Sequence, residues 1–204
     1  MGVSGGGPHA LACAFTMPNR VTAAAVMSCV APASMPGFLH KMMRFNREQA
    51  TAAQQGAQAH AQLISALVGL LRDDPWAFVR AFAKLGAPQD VELLDAMPAA
   101  AQVAFVEAFT DLGQQSGRGW TDDFSALVAD WGFPLQQVST RVHIWHGHHD
   151  RNVPPTHADF LADQLPNATL MWFEDAGHLA VDQLALVVTD LIKLSIDVDG
   201  LSAS

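Results

Sequence analysis

Residues 145–179, WHGHHDRNVPPTHADFLADQLPNATLMWFEDAGHL, alternate apolar runs with polar loops and a helical pattern. We predict strands at 142–145 and 168–173, joined by a helix, which is the order typical of parallel pairing. Asp150 ends the loop after the first strand, and His178 lies in the loop after the second. Because parallel strands end at a common rim of an open α/β sheet, where such folds place their sites, we expect both side chains at that rim.

The same alternation extends towards both ends of the chain. Residues 8–17 are rich in Ala and Leu and predict a helix, with Pro8 near its first turn. Residues 20–30 predict a mostly apolar, buried strand, and residues 155–165 and 180–194 predict two further helices. Apolar strands that alternate with helices in this way predict an α/β fold with a parallel sheet.

Residues 37–137 show helical patterns and no strand signal. Three such patterns fall at 63–71, 74–86 and 103–112. The second begins at Asp74 and Pro75, which suit the N-cap and first position of a helix. We therefore predict an all-helical cap at 37–137, inserted into an α/β core that residues 1–36 and 138–204 form together.

Composition narrows the classes of partner. Hydrophobic residues make up 50% of the chain and charged residues 15%, which indicates a core-rich folded protein. The net charge is −9 and only 11 residues are Lys or Arg, so we expect no nucleic-acid partner.

Membrane and redox signals are weak. The longest apolar run, near 21–33, is shorter than the roughly 20 residues of a membrane-spanning helix, so we expect no membrane span. No basic segment followed by an apolar run stands at the start, which makes the cytoplasm the default location. Cys13 and Cys29 both lie in apolar stretches, and we predict buried free thiols at these two positions.

The first residues carry a possible nucleophile. Residues 2–6, GVSGG, match G-x-S-x-G, the sharp strand-to-helix turn that exposes a serine hydroxyl. Gly2 and Gly6 are small enough for strand and helix to approach closely, and the Gly5 N–H would lie at a helix start that favours negative charge. An ordinary flexible Gly-rich segment is the alternative for Ser4.

Three stretches resemble the α/β-hydrolase superfamily: GVSGGGPHALACA at 2–14, WGFPL at 131–135, and the stretch at 145–179. The candidates Ser4, Asp150 and His178 also follow the superfamily's chain order of nucleophile, acid and histidine.

The resemblance implies a role for each site residue. Ser4 would be the nucleophile, His178 the general base and Asp150 the acid, and Gly5 would supply one oxyanion N–H. No cofactor is implied. The substrate would be a small ester-like molecule, with ester hydrolysis through an acyl-enzyme as the expected reaction, although the same residues serve thioesterases, peptidases, C–C hydrolases and haloperoxidase-like enzymes.

The superfamily also has strands before the nucleophile turn, and a loop among them supplies the second oxyanion donor. This sequence shows no counterpart to them, so a truncated, catalytically impaired remnant or a non-enzymatic interaction module of the same ancestry is the alternative. On this view the isolated chain would be a poor catalyst, and an unpaired sheet edge could associate with another chain.

Two further patterns leave alternatives open. His146, His148 and Asp150 form H-x-H-x-D, a plausible metal-ligand spacing, but Arg151 stands where dinuclear hydrolases carry another His, and we expect no metal. Four aromatic residues could line a substrate pocket or belong to the plain core: Trp120, Phe124, Trp131 and Phe133.

Overall fold

The computed structural model describes residues 1–200, apart from the side chains of 115 and 197–200. Within these residues, four parallel strands form one sheet in chain order: β1 (Gly2–Val3), β2 (Ala23–Met27), β3 (Arg141–Gly147) and β4 (Ala168–Phe173). The register aligns Val3 with Met27, Met27 with Trp145, and Trp145 with Met171, so the strands end at a common rim. The predicted α/β class with parallel strands is confirmed.

Helices connect and cover these strands. Helix α1 (Gly6–Thr16) joins β1 to β2, α8 (Thr156–Gln164) joins β3 to β4, and α9 (Leu184–Gly200) follows β4. Six helices lie between β2 and β3: α2 (Arg44–Gln54), α3 (Ala57–Asp73), α4 (Pro75–Leu85), α5 (Pro88–Ala96), α6 (Ala99–Leu112) and α7 (Arg118–Val128). Short 3-10 helices occur at Gln114–Gly117, Leu135–Gln137 and Val181–Gln183.

Side chains alternate between two apolar layers because successive strand residues face opposite sides of a sheet. On one side, Val142 and Ile144 pack with Leu11 of α1 and Leu161 of α8. On the other side, Met27, Phe173 and Val187 form a second cluster with α9. Each large apolar side chain buried here contributes roughly 1.5–3 kcal/mol, which fixes the sheet between its helices.

Several boundaries differ from the prediction. The strand expected at 20–30 is limited to Ala23–Met27, because the chain turns at Ser28, whose φ is 49°. The helix expected at 180–194 begins at Leu184 after a 3-10 turn and continues to Gly200. The prediction for Cys13 is wrong: it lies on the exposed face of α1, whereas Cys29 is buried as expected.

Two features bear on partners. No helix within residues 1–200 combines the length and the apolar character that a membrane crossing needs. Strand β1 lies at the edge of the sheet, where it pairs with β2. Association of another chain with this edge remains a prediction.

Candidate active site

Ser4 stands on a tight turn between β1 and α1. Its φ is 50°, in the left-handed region that residues other than glycine rarely adopt. The Ser4 N–H donates to the Met27 carbonyl at 2.8 Å, and the Ser4 carbonyl accepts from the Gly7 N–H at 3.0 Å. These bonds hold the strained conformation, which is typical of functional turns.

Close packing of the turn depends on two glycines. A Cβ on Gly2 would overlap the Gly6 carbonyl, and a Cβ on Gly7 would overlap the Cys29 side chain. A Cβ on Gly6 would meet no atom within 4 Å. The expectation for Gly2 therefore agrees with the structure, whereas Gly7, not Gly6, provides the second close approach.

The structure brings Ser4, His178 and Asp150 together at the rim of the sheet. His178 Nε2 lies 3.0 Å from Ser4 Oγ, and His178 Nδ1 lies 2.8 Å from Asp150 Oδ2. An ionised Asp150 accepts from Nδ1–H, which leaves Nε2 as the acceptor for the serine O–H. This geometry can move a proton from Ser4 to His178.

Asp150 is held rigidly beneath the imidazole. The side chain is buried, and its Oδ1 accepts from the backbone N–H groups of Asn152 and Val153, each at 2.8 Å. The loop after β3 thus wraps around one carboxylate oxygen, while Oδ2 faces His178 and also lies 3.4 Å from His146 Nε2. Because two backbone donors fix its orientation, Asp150 can hold a single tautomer and orientation of His178.

The pKa of His178 is raised by its surroundings. Burial acts to lower this pKa, but the charge of Asp150, the hydrogen bond to Asp150 and the charge of Asp90 together prevail. The protonated imidazole is therefore stabilised. That is the form a histidine adopts when it takes a proton from a nucleophile.

Gly5 supplies a candidate oxyanion donor. It is the N-cap residue of α1 and borders the same cavity as Ser4 and His178. Within residues 1–200, the Gly5 N–H has no hydrogen-bond acceptor. A free N–H at a helix N-terminus favours a negatively charged oxygen beside it.

A cavity of about 360 Å³ opens beside Ser4. Among the residues that line it are eight aromatic side chains of the helical insertion: Phe38, Phe45, Phe78, Phe82, Phe105, Phe109, Trp120 and Phe124. Trp120 and Phe124 therefore line this cavity, whereas Trp131 and Phe133 pack against the core beside α1. The described lining includes Asp123 but no Lys or Arg.

The H-x-H-x-D residues do not converge on a metal position. His146 is buried, its Nε2–H donates to the Val153 carbonyl at 2.8 Å, and burial lowers its pKa. His148 stacks on Trp172, with ring centroids 4.4 Å apart. Within the described part of the chain, no group of three or more His, Cys, Asp or Glu residues is arranged to hold a metal ion.

Asp90 was not identified from the sequence. It is buried near the start of α5, and its Oδ1 accepts from the Leu179 N–H, next to His178. An acidic residue in the first turn of a helix is ordinary. The sequence carries no signal for a contact across 89 positions.

Comparison of the sequence with known proteins gives a distant esterase relative but no family model. No family model matches the chain. A pimeloyl-[acyl-carrier protein] methyl ester esterase of Aromatoleum aromaticum is 29% identical over 137 residues, covering 63% of this chain and 53% of the relative. The chain thus spans about half the length of this curated relative.

Solved structures give the fold. An α/β-hydrolase enzyme from a Medee basin deep-sea metagenome library superposes with a TM-score of 0.63 at 18% identity, covering 96% of this chain and 63% of that one. A bromoperoxidase from Bacillus anthracis gives 0.61 at 18% identity, covering 96% and 66%. The chain has the α/β-hydrolase fold, over about two thirds of the length of these structures.

Proposed function

We propose that this chain is a serine hydrolase of the esterase type, with Ser4 as nucleophile, His178 as general base and Asp150 as orienting acid. The observation that carries the proposal is the continuous hydrogen-bonded series Ser4–His178–Asp150, at 3.0 and 2.8 Å, on the wall of an apolar cavity. The distant resemblance to a methyl ester esterase supports an ester as the substrate.

The geometry supports the following sequence of steps. Ser4 Oγ attacks the ester carbonyl carbon while His178 Nε2 takes the hydroxyl proton. The carbonyl oxygen becomes an oxyanion beside the Gly5 N–H. The C–O bond to the alcohol then breaks, and His178 returns the proton to the leaving oxygen. Water attacks the acyl-enzyme with His178 again as base, which releases the acid and restores Ser4.

The cavity favours a neutral, apolar ester. Its aromatic walls suit a hydrocarbon or aryl group, and no Lys or Arg of the described lining could pair with a carboxylate. A volume of about 360 Å³ lies at the lower end of the range for small-molecule sites. We therefore assign a small apolar acyl or alcohol group as the part of the substrate that the helical insertion encloses.

Labelling with a fluorophosphonate tests the nucleophile. Such probes react with an activated serine hydroxyl at neutral pH, so we expect one covalent adduct on Ser4 by mass spectrometry. The adduct should be absent from Ser4→Ala and retained in Ser34→Ala, which removes an exposed serine elsewhere. An adduct that persists at full yield in Ser4→Ala would exclude Ser4 as the nucleophile.

A further inference from the structure

Asp90 is a buried carboxylate for which ordinary helix capping accounts only in part. It is the third residue of α5, and its Oδ2 accepts from the Ala87 N–H at 3.2 Å, as an N-terminal cap does. Its other oxygen, Oδ1, accepts from the Leu179 N–H at 2.9 Å. The helical insertion is therefore bonded directly to the residue that follows His178.

The backbone around Asp90 leaves no room for larger residues. A Cβ on Gly177 would overlap Asp90 Oδ1, and a Cβ on Gly86 would lie 2.9 Å from Oδ2. One glycine belongs to the loop of His178 and the other to the turn before α5. Both segments thus close directly on the carboxylate, which fixes the path of the chain on either side of it.

Burial of this charge needs compensation. Asp90 is 1% exposed, and among the described residues no Lys or Arg forms an ion pair with it. Isolated buried carboxylates are unfavourable unless a positive charge or several hydrogen bonds offset the lost hydration. The two backbone donors supply part of this, and the imidazole of His178, whose charge acts on Asp90, is a nearby group able to become positive.

The charges of this region act on one another. The pKa of Asp90 is raised, mainly because burial disfavours its charged form, and the charge of Asp150 adds to this. The hydrogen bonds from the Leu179 and Ala87 N–H groups and the charge of His178 act in the opposite direction. The charge of Asp90 in turn raises the pKa of His178. Another titratable group nearby is His146 on β3. Asp90 also lines a second cleft, between α5 and the loop after β4, together with four other acidic residues: Glu92, Glu174, Asp175 and Asp182.

We propose that Asp90 is a positioning residue for His178: it anchors the loop through the Leu179 N–H and adds a second negative charge that stabilises the imidazolium. The electrostatic part of this inference stands without turnover, and its catalytic consequence rests on the proposed function. The competing explanation is that the carboxylate merely satisfies two backbone donors that point in different directions.

A titration of His178 separates these explanations. Asp90→Asn removes the charge and keeps an acceptor for Leu179, and Glu92→Gln removes an exposed charge from the same helix. The pKa of His178 is measured by NMR of its imidazole, assigned by the loss of its signal in His178→Gln. We expect Asp90→Asn to lower this pKa by at least about 0.5 unit, and Glu92→Gln to change it by about 0.1 unit or less.

A measurement on the unsubstituted chain covers the case in which Asp90→Asn does not fold. An N–H that donates to a carboxylate changes its chemical shift when the carboxylate protonates. We expect the Leu179 amide shift to follow the titration of the Asp90 carboxyl carbon, and the His178 imidazole shift to show an inflection in the same pH range. Two results would overturn the inference. One is an equal pKa of His178 in Asp90→Asn and Glu92→Gln, and the other is a Leu179 amide chemical shift that does not change when Asp90 titrates.

Labelling distinguishes this inference from the proposed function. If Ser4 reacts with the fluorophosphonate, Asp90→Asn should move the midpoint of its pH–rate curve to lower pH, by the same shift seen in the His178 titration. If Ser4 does not react while the pKa of His178 depends on Asp90, the electrostatic inference holds and the hydrolase proposal fails. If Ser4 reacts while the pKa of His178 is independent of Asp90, the hydrolase proposal holds and the electrostatic inference fails.

Discussion

The Ser4 N–H donates a 2.8 Å hydrogen bond to the Met27 carbonyl, at the end of the neighbouring strand. Strand β1 contains just Gly2 and Val3, so this bond extends the pairing of β1 with β2 onto the turn itself. The position of the candidate nucleophile is therefore set by β2, whose interior residues are buried, as much as by the two residues that precede it.

Substitution at two glycines of the turn should give opposite results. In Gly2→Ala the new methyl group would overlap the Gly6 carbonyl, and we expect a loss of about 1–3 kcal/mol in the free energy of unfolding, together with slower labelling of Ser4. In Gly6→Ala it would meet no atom within 4 Å, so stability should be unchanged or rise by roughly 0.4–1 kcal/mol.

Urea unfolding and fluorophosphonate labelling measure both effects. Equal labelling rates in Gly2→Ala and Gly6→Ala would show that the close approach of β1 to α1 is not what presents Ser4.

Asp150→Asn should slow the reaction of Ser4 with little change in the fold. An amide in place of the carboxylate favours the wrong tautomer of His178 and removes the charge that stabilises the imidazolium, which costs about 10⁴-fold in a serine hydrolase. The measurement is the second-order rate of fluorophosphonate labelling. Asp159→Asn, on the exposed side of α8, is the matched control and should react within about two-fold of the unsubstituted chain. Similar rates for the two variants would argue against a role for Asp150.

The C-terminal part of the site could be predicted from the sequence because its strands and loops follow from local sequence patterns. Strand β4 coincides with the predicted 168–173. Asp150 and His178 lie just beyond β3 and β4, whose apolar residues include Val142, Ile144 and Trp145 in the first strand and 170–173 in the second. The rule that parallel strands end at one rim then brings distant residues together without knowledge of packing. The start of helix α4 could be predicted equally well, because Asp74 and Pro75 are typical first residues of a helix. In the structure the Asp74 side chain accepts from the Ala77 N–H at 2.9 Å.

What the sequence did not reveal depends on tertiary packing. Helices α2, α5 and α7 received no individual prediction. Trp120 and Trp131 are alike in sequence terms, yet one lines the cavity and the other packs beside α1, because the fold of the insertion decides which face meets Ser4. Asp90 shows the same limit, since its partner lies in a loop that no local pattern connects to α5.

Acid should destabilise the chain through His157. This side chain is fully buried, accepts from the Ala31 N–H at 3.1 Å and donates to the Phe38 carbonyl at 2.9 Å, and burial lowers its pKa to about 4. Because the pKa is about 6.5 in the unfolded chain, the neutral form stabilises the fold above that pH, and this contribution is lost as the pH falls from about 6.5 towards 4. The loss amounts to about 3 kcal/mol.

Urea unfolding at pH 7.5 and pH 4.5 measures this linkage. His157→Gln cannot titrate, so its stability should fall less between the two pH values than that of the unsubstituted chain, whereas His9→Gln, at an exposed position of α1, should behave like the unsubstituted chain. His146 and His60 titrate in all three proteins and cancel in the comparison. A loss in His157→Gln as large as in the unsubstituted chain would assign the acid sensitivity to other groups.

Chelation should leave the labelling of Ser4 unchanged. His146 Nε2 is engaged by the Val153 carbonyl and His148 lies against Trp172, so the two rings do not present nitrogens to a common point. The proposed steps also require no metal. Labelling rates before and after dialysis against a chelator are the measurement. A labelling rate that falls on dialysis and is restored by Zn²⁺ would instead support a metal site at His146, His148 and Asp150.

A negative charge on the acyl group should strongly impair reaction. The described lining of the cavity offers no Lys or Arg, and Asp123 would repel a carboxylate, so a charged chain would enter without a basic side chain to pair with. The two substrates compared are p-nitrophenyl hexanoate and the p-nitrophenyl monoester of adipic acid, and the measurement is p-nitrophenolate release in the first turnover. We expect kcat/KM to be at least about 10²-fold lower for the charged adipate ester. Ser4→Ala supplies the background rate for each ester, since the adipate can also hydrolyse spontaneously.

Phe82→Ala tests where the two esters are discriminated, because it removes an aromatic ring from the cavity wall without changing the charge of the cavity. The rates of both esters should change, and the preference for the neutral ester should persist. Equal Ser4-dependent rates for the two esters would mean that the acyl group lies outside the aromatic cavity, and the alcohol group would then be the part that the insertion encloses.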